Sequence, residues 1–171
     1  LPAAQLNAIQ KLPYTKINKL VCAVESPFWE QDGLPPNIWS DTLLERSFLS
    51  MTKSNRPLYS IFVNGTTAST LDKMSDAQAT TSLLETLNRV RPSTKNALRP
   101  IVYKSWGNDP LAGGAYHAFG PGHVSEFATS LEKPVNGLYF TGEHCAVENM
   151  GMEGALESSE RIANAVVEKL V

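Results

Sequence analysis

The sequence predicts an α+β fold: a mixed sheet packed with a helix, followed by a terminal strand–loop–helix unit. Three observations predict it. Apolar, β-branched runs recur at residues 16–26, 46–52, 56–65 and 98–106, the composition of strands. Residues 75–91 carry the clearest helical periodicity in the chain. "GLYFTGEHCAVENMGMEGALESSERIANAVV", residues 137–167, places an apolar run before a glycine-rich loop and a long amphipathic segment.

In chain order, residues 3–11 read as a short helix that ends at Leu12-Pro13. "KINKLVCAVES" reads as a strand, and "PFWEQDGLPPNIWSD" as loop and turn because of its Pro and Gly content. "RSFLSMT" and "RPLYSIFVNG" are two further strands, expected to form a meander. Ser75 caps the helix 75–91, with Gln78 at the reciprocal position of a capping box. Leu83, Leu84, Leu87 and Val90 share its apolar face, and Pro92 ends it. "LRPIVYKSW" is a strand, "GNDPLAGGAYHAFGPG" is too glycine-rich for regular structure, and "VSEFATSLEKPVNG" holds a short helix and a turn. A strand then precedes the last helix, where Met152, Ala155, Leu156, Ile162, Ala163, Val166, Val167 and Leu170 share one face. Glu157 and Arg161 are spaced on the other face for an i,i+4 ion pair.

The 171 residues suit one sizeable domain or two small ones. With 15 basic and 17 acidic residues and no basic run, no phosphate footprint is visible and no nucleic-acid partner is expected. No apolar stretch approaches the roughly 20 residues of a membrane span, so no membrane partner is expected. Cys22, inside an apolar strand pattern, reads as a small core hydrophobe, and a disulfide with the distant Cys145 is not expected. The N-terminal stretch does not read as a signal peptide. A cytoplasmic location is the expectation, and the missing initiator Met suits a processed, truncated or partial chain.

The end of the chain has the most pointed chemistry. A helix N-terminus offers unpaired N–H groups and roughly half a positive charge, which stabilise an anion or electron-rich group. Gly151 and Gly154, with Ala155 next, keep that backbone within reach. Glu143, after the apolar run, can accept hydrogen bonds from hydroxyls. A tight turn with close helix packing accounts for the same glycines. A metal site at Glu143, His144, Cys145 and Glu148 fits poorly, because adjacent residues do not converge on one ion, and no metal is expected.

Residues 137–167 resemble the C-terminal flavin-binding segment of the flavin-containing amine oxidase family, which includes monoamine, polyamine and L-amino acid oxidases. "SWGNDPLAGGAYHAFGPG" and "KINKLVCAVESPFW" resemble two further stretches of that family, in the family's order. The resemblance implies a substrate-binding portion over 1–106 and the C-terminal, Rossmann-like portion of an FAD-binding domain over 107–171. The family's Gly-x-Gly-x-x-Gly fingerprint does not occur in this sequence, so an N-terminal FAD-binding half is an implied partner. The isolated chain is then expected to be inactive. A homodimer is compatible with the resemblance.

Carried over residue by residue, the resemblance sets Gly142 and Glu143 beside the ribityl–pyrophosphate arm of FAD. It sets Gly151, Met152 and the turn to Ala155 at the flavin ring, and Trp106 near that ring. Lys19 matches the family lysine that holds a water against flavin N5, the implied catalytic contact. Tyr116 matches one wall of an aromatic cage facing the substrate, and the second wall falls on Gly151, which has no side chain. Ala115 stands where monoamine oxidases carry a flavin-bonded cysteine, so the implied FAD is non-covalent. The implied reaction oxidises a carbon–nitrogen bond of an amine or amino acid by hydride transfer to flavin. Imine hydrolysis and reoxidation by O2 to hydrogen peroxide follow. Ile61, Phe62 and Val63 are pocket candidates by position, while His117, His123 and His144 carry no assigned role. A non-catalytic fragment and a flavin oxidoreductase with other substrates are the competing readings.

Overall fold

The computed structural model describes residues 1–170. The chain divides into two compact units, one formed by Lys16–Ala115 and the other by Leu1–Thr15 together with the segment from Tyr116 onward. The division expected between residues 106 and 107 therefore falls elsewhere, for visible reasons. Lys16 Nζ donates to the carbonyls of Gly113 and Gly107 at 2.6 and 3.3 Å, and Lys104 Nζ meets Asp109 Oδ2 at 2.5 Å. These bonds tie residues 107–113 to the sheet. The Thr15 N–H donates to Tyr116 O at 2.8 Å and the Ala118 N–H to Pro13 O at 2.9 Å, which joins the first residues to the last segment.

The sheet unit holds β1 (Ile17–Val24), β2 (Ile38–Trp39), β3 (Arg46–Met51), β4 (Pro57–Asn64) and β5 (Leu98–Ser105) in the order β2-β3-β4-β1-β5. All pairings are antiparallel, with a register shift between Val21 and Cys22 where β1 meets β5. Alternation along β1 and β4 turns Leu20, Cys22, Tyr59, Ile61 and Val63 into one core. Two helices, α3 (Gly65–Leu71) and α4 (Asp76–Val90), supply Ala68, Leu71, Ala79, Leu83 and Leu87 to it.

The expected helix is α4, and its capping box is present in both directions between Ser75 and Gln78. Val90 departs from the expected face: it is 45% exposed, and Ala79 and Thr86 are buried instead. The segment 27–41, expected as loop, contains α2 (Phe28–Asp32) and the two-residue β2. Cys22 is a free, buried core residue, and Cys145 is also free and buried.

The second unit contains α1 (Ala3–Lys11), a π-helical turn at Val124–Ala128 running into α5 (Thr129–Leu131), and α6 (Gly151–Leu170). Its core is small: Ala8, Phe127, Leu131 and Cys145, with Leu12, Phe119 and Phe140 packed against them. The strand expected at 137–140 is absent as a ladder. Leu138 makes only an isolated bridge with Val135, because a strand needs a paired neighbour for its backbone groups and this unit offers none among its described residues. No described helix is long and apolar enough to cross a membrane.

Arg91 ties α4 to the loop after α2. Its Nε and Nη2 donate to the two Asp32 oxygens, both at 2.8 Å, and Nη1 donates to Pro35 O at 2.6 Å. The Arg91 bonds, with the Ser93 hydroxyl, hold the Asp32 carboxyl well below the usual carboxylate range. A carboxyl lowered in the folded state stabilises the fold above its ordinary titration range, and the contribution is lost as pH falls through the lowered value. Arg91→Met removes it, so the acid-unfolding midpoint followed by circular dichroism should move to higher pH. An unchanged midpoint contradicts this assignment.

Candidate functional site

Lys19 projects from β1 onto the sheet face opposite the core. Period-2 alternation and the register set its neighbours: Lys19 lies opposite Phe62 on β4 and Lys104 on β5. Its Nζ stands 4.6 Å from the centre of the Phe62 ring. Phe62 stacks on Phe48 at 5.1 Å, and the Arg46 guanidinium lies 5.9 Å from the Phe62 ring centre. Lys104 Nζ sits 5.2 Å from the Trp106 ring. This face is thus a band of cations set against aromatic rings. It contains Phe62 but not Ile61 or Val63, which are fully buried in the core. Trp106 is partly exposed at the end of the band. Ala115 is the exposed last residue of this unit.

The remaining sequence-derived residues belong to the second unit, where α6 supports the segment before it. Gly154 allows a close crossing: a Cβ there would stand 2.7 Å from Asn149 O and 2.9 Å from Ala146 Cβ. One turn on, Ser158 is fully buried. Its Oγ accepts from the Gly142 N–H at 2.9 Å and lies 2.8 Å from Gly142 O, which can accept its proton. Glu157 accepts the backbone N–H of Val147 at 2.8 Å and of Asn149 at 2.9 Å, with Glu148 also turned to it. Those amides hold the Glu157 carboxyl down to about 2. Arg161 reaches Cys145 O at 2.5 Å and Glu132 Oε2 at 3.1 Å.

Two expectations for α6 are therefore corrected. Arg161 pairs with Glu132 rather than Glu157, whose carboxylate is taken by backbone amides. The apolar stripe is not the packed face: Met152 is 85% and Leu156 64% exposed, while Gly154 and Ser158 are buried. A face of i, i+4 and i+7 residues chosen to meet loop backbone is polar and small, so hydrophobic periodicity misses it.

Gly142, at φ 139°, leads into the 3-10 turn Glu143–Cys145. Glu143 Oε2 lies 2.7 Å from His117 Nδ1, and the Tyr14 hydroxyl lies 3.3 Å from His144 Nδ1. Burial pushes the His144 imidazole below its ordinary value; His117 adds to this and Glu143 opposes it. Burial, with Glu143 nearby, pushes the Tyr14 phenol up. The sequence assigns His117 no role because its partner lies 26 residues away. Tyr116 is partly exposed beside it. Gly151 opens α6 at φ +63°, and a Cβ on it would meet nothing within 4 Å. Gly151, Met152 and Glu153 are exposed and Ala155 is half-buried. No group of three or more His, Cys, Asp or Glu able to hold a metal occurs among the described residues.

A family model described as flavin containing amine oxidoreductase matches residues 1–167. Flavin-containing amine oxidase A of Bos taurus is 31% identical over 178 residues, covering 99% of this chain and 34% of that protein. The type A enzyme of Equus caballus is 29% identical over 181 residues, with the same coverage of 99% and 34%. Among solved structures, a putrescine oxidase variant from a redesign of cofactor binding superposes with TM-score 0.83 at 22% identity, covering 99% of this chain and 38% of that one. Cyclohexylamine oxidase from Brevibacterium oxydans IH-35A gives TM-score 0.80 at 18% identity, covering 99% and 39%. The fold is thus that of FAD amine oxidases, in part. The chain belongs to the flavin-containing amine oxidoreductase family, which implies a flavin cofactor. It spans about a third of the length of the curated relatives it matches.

Two outcomes follow from α6. Gly154→Ala gains about 1 kcal/mol of helix propensity but forces backbone apart at a cost of about 1–3 kcal/mol, so its thermal midpoint should fall; a rise contradicts the close crossing. Glu157 adds stability above its ordinary titration range that is lost as pH falls through about 2. The amide proton shifts of Val147 and Asn149 should titrate with a midpoint near 2, and Glu157→Gln should abolish that titration.

Proposed function

We propose that this chain forms the C-terminal part of an FAD-dependent amine oxidase that oxidises the carbon–nitrogen bond of a small amine or amino acid, with O2 as final acceptor and hydrogen peroxide as product. The observation that carries the reading is the open start of α6. Gly151 leaves room for a ligand at the helix end. The first amides of a helix are donors without intrahelical acceptors, and their dipole favours electron density placed against them. The residues present thus fit the cofactor that the family implies.

FAD, when bound, supplies the two-electron acceptor for the amine. Gly151, Met152 and the turn to Ala155 would support its ring by backbone donation. Glu143 would accept hydroxyls of its ribityl arm, and Gly142 brings the backbone close. Lys19 has the role of a cation that holds a water, its ammonium set against the Phe62 ring. A largely apolar, water-poor pocket favours the neutral amine over the ammonium form. Trp106 and Tyr116 would present aromatic faces to cofactor and substrate, respectively. Gly151 cannot supply a second aromatic wall, which favours substrates other than aryl amines. Ala115 has no sulfur to bond the flavin, so FAD is held non-covalently.

The chain's third of its relatives' length favours a second reading for the chain on its own: a folded part that binds no FAD until joined to a dinucleotide-binding half. One experiment separates the two. The chain is purified alone and with an N-terminal half bearing a Gly-x-Gly-x-x-Gly unit, and bound flavin absorbance and peroxide release are recorded over an amine panel. The proposal expects flavin and peroxide in the joined protein, with Lys19→Met lowering the rate of amine oxidation about a hundredfold. A colourless joined protein contradicts it.

A further inference from the structure

The Glu143 carboxylate is held before any ligand arrives. His117 Nδ1 lies 2.7 Å from its Oε2, and the two side chains are only 15% and 20% exposed. A carboxylate oxygen accepts, so imidazole Nδ1 carries the proton and donates. The bond uses one carboxylate oxygen and leaves Oε1 for another donor.

His117 itself is fixed on several sides. Its backbone bridges Tyr14 in antiparallel fashion. Flanking bonds, Thr15 N–H to Tyr116 O and Ala118 N–H to Pro13 O, lock that crossing. The imidazole meets the Phe119 ring at 4.8 Å and 77°, and Phe119 packs on the small core of this unit. Next to Glu143 in the chain, His144 Nδ1 lies 3.3 Å from the Tyr14 hydroxyl. Tyr14 thus bridges the backbone of His117 and bonds the side chain of His144, the residue after Glu143.

We propose that His117 is a positioning residue of the flavin site: its Nδ1–H sets the Glu143 carboxylate so that Oε1 accepts a hydroxyl of the cofactor's sugar-alcohol chain. The inference rests on the assignment of Glu143 to FAD made above. A glutamate left free must freeze its rotamers on binding, which weakens the contact it makes. His117 removes that cost in advance without touching the cofactor. Asparagine is the conservative replacement, because its Nδ2 and the Nδ1 of histidine both attach to Cγ and carry a donor.

FAD is titrated into the protein joined to its dinucleotide-binding half, in parent form and as Glu143→Gln, His117→Ala, His117→Asn and the Glu143→Gln/His117→Ala pair. The melting of each apoprotein is recorded alongside. His117→Ala and Glu143→Gln should each raise the FAD dissociation constant about tenfold. The double variant should be no weaker than the weaker single, since both act through one carboxylate. His117→Asn should stay within about threefold of the parent. Parent-like affinity in His117→Ala beside weakened Glu143→Gln overturns the inference and leaves the proposed function standing. Additive losses, or an Asn variant as weak as Ala, also overturn it, since His117 would then act independently of Glu143 or only on folding. A parent that binds no FAD overturns the proposed function, and this inference with it.

Discussion

One face of α6 is fastened to the backbone of the segment before it, and the second unit is arranged around that constraint. Gly154, Ser158 and Arg161 fall at i, i+4 and i+7, and each touches the chain that precedes the helix. Glu157, beside them, gathers successive amides of residues 147–149. The result is a glycine-rich segment held without a strand ladder and without a large core. The same bonds satisfy backbone donors that would otherwise be unpaired in an irregular loop. Side chains at the helix start would block both the crossing and the approach to the helix end, so small residues serve two ends at once.

The sheet unit follows a different logic. There, alternation separates a helix-covered core from an outer face of Lys19, Arg46, Lys104 and aromatic rings. Lysine stems packed on aromatic rings keep their ammonium groups in defined places while leaving them charged. A chemical role for Lys19 needs such a fixed position. The register of β1 against β4 and β5 provides it, since a slip by one residue would turn Lys19 into the core.

The sequence was most legible where structure is locally encoded. The strands at β1, β3, β4 and β5 follow apolar, β-branched runs, and the Ser75–Gln78 box marks the first turn of α4. α3 was missed because Gly65-Thr66-Thr67-Ala68-Ser69-Thr70-Leu71 is small and β-branched, with weak helical preference; its packing on β1 and β4 decides its form. The run 137–140 looked like a strand because an apolar run does not reveal whether a partner strand exists. The α6 stripe was legible as a pattern, but the pattern does not reveal that Gly154 and Ser158 are the buried positions. Of the proposed site residues, Glu143 and Gly151 stand out in the sequence as motif. The link from His117 to Glu143 was not, since it joins residues far apart in the chain and has no periodic signature. The compact-unit boundary after Ala115 was not legible, because the Lys16 bonds to the Gly107 and Gly113 carbonyls leave no compositional mark.

The central claim is that the α6 start and the Gly142–Glu143 turn meet a flavin. Amide chemical shifts of the protein joined to its dinucleotide-binding half, recorded without and with FAD, test it most directly. The account predicts displaced amides at Gly142, Glu143, Gly151 and Met152, with Arg99 and Ile101 unmoved. Bound FAD that leaves the amides of residues 142–143 and 151–152 in place would contradict it.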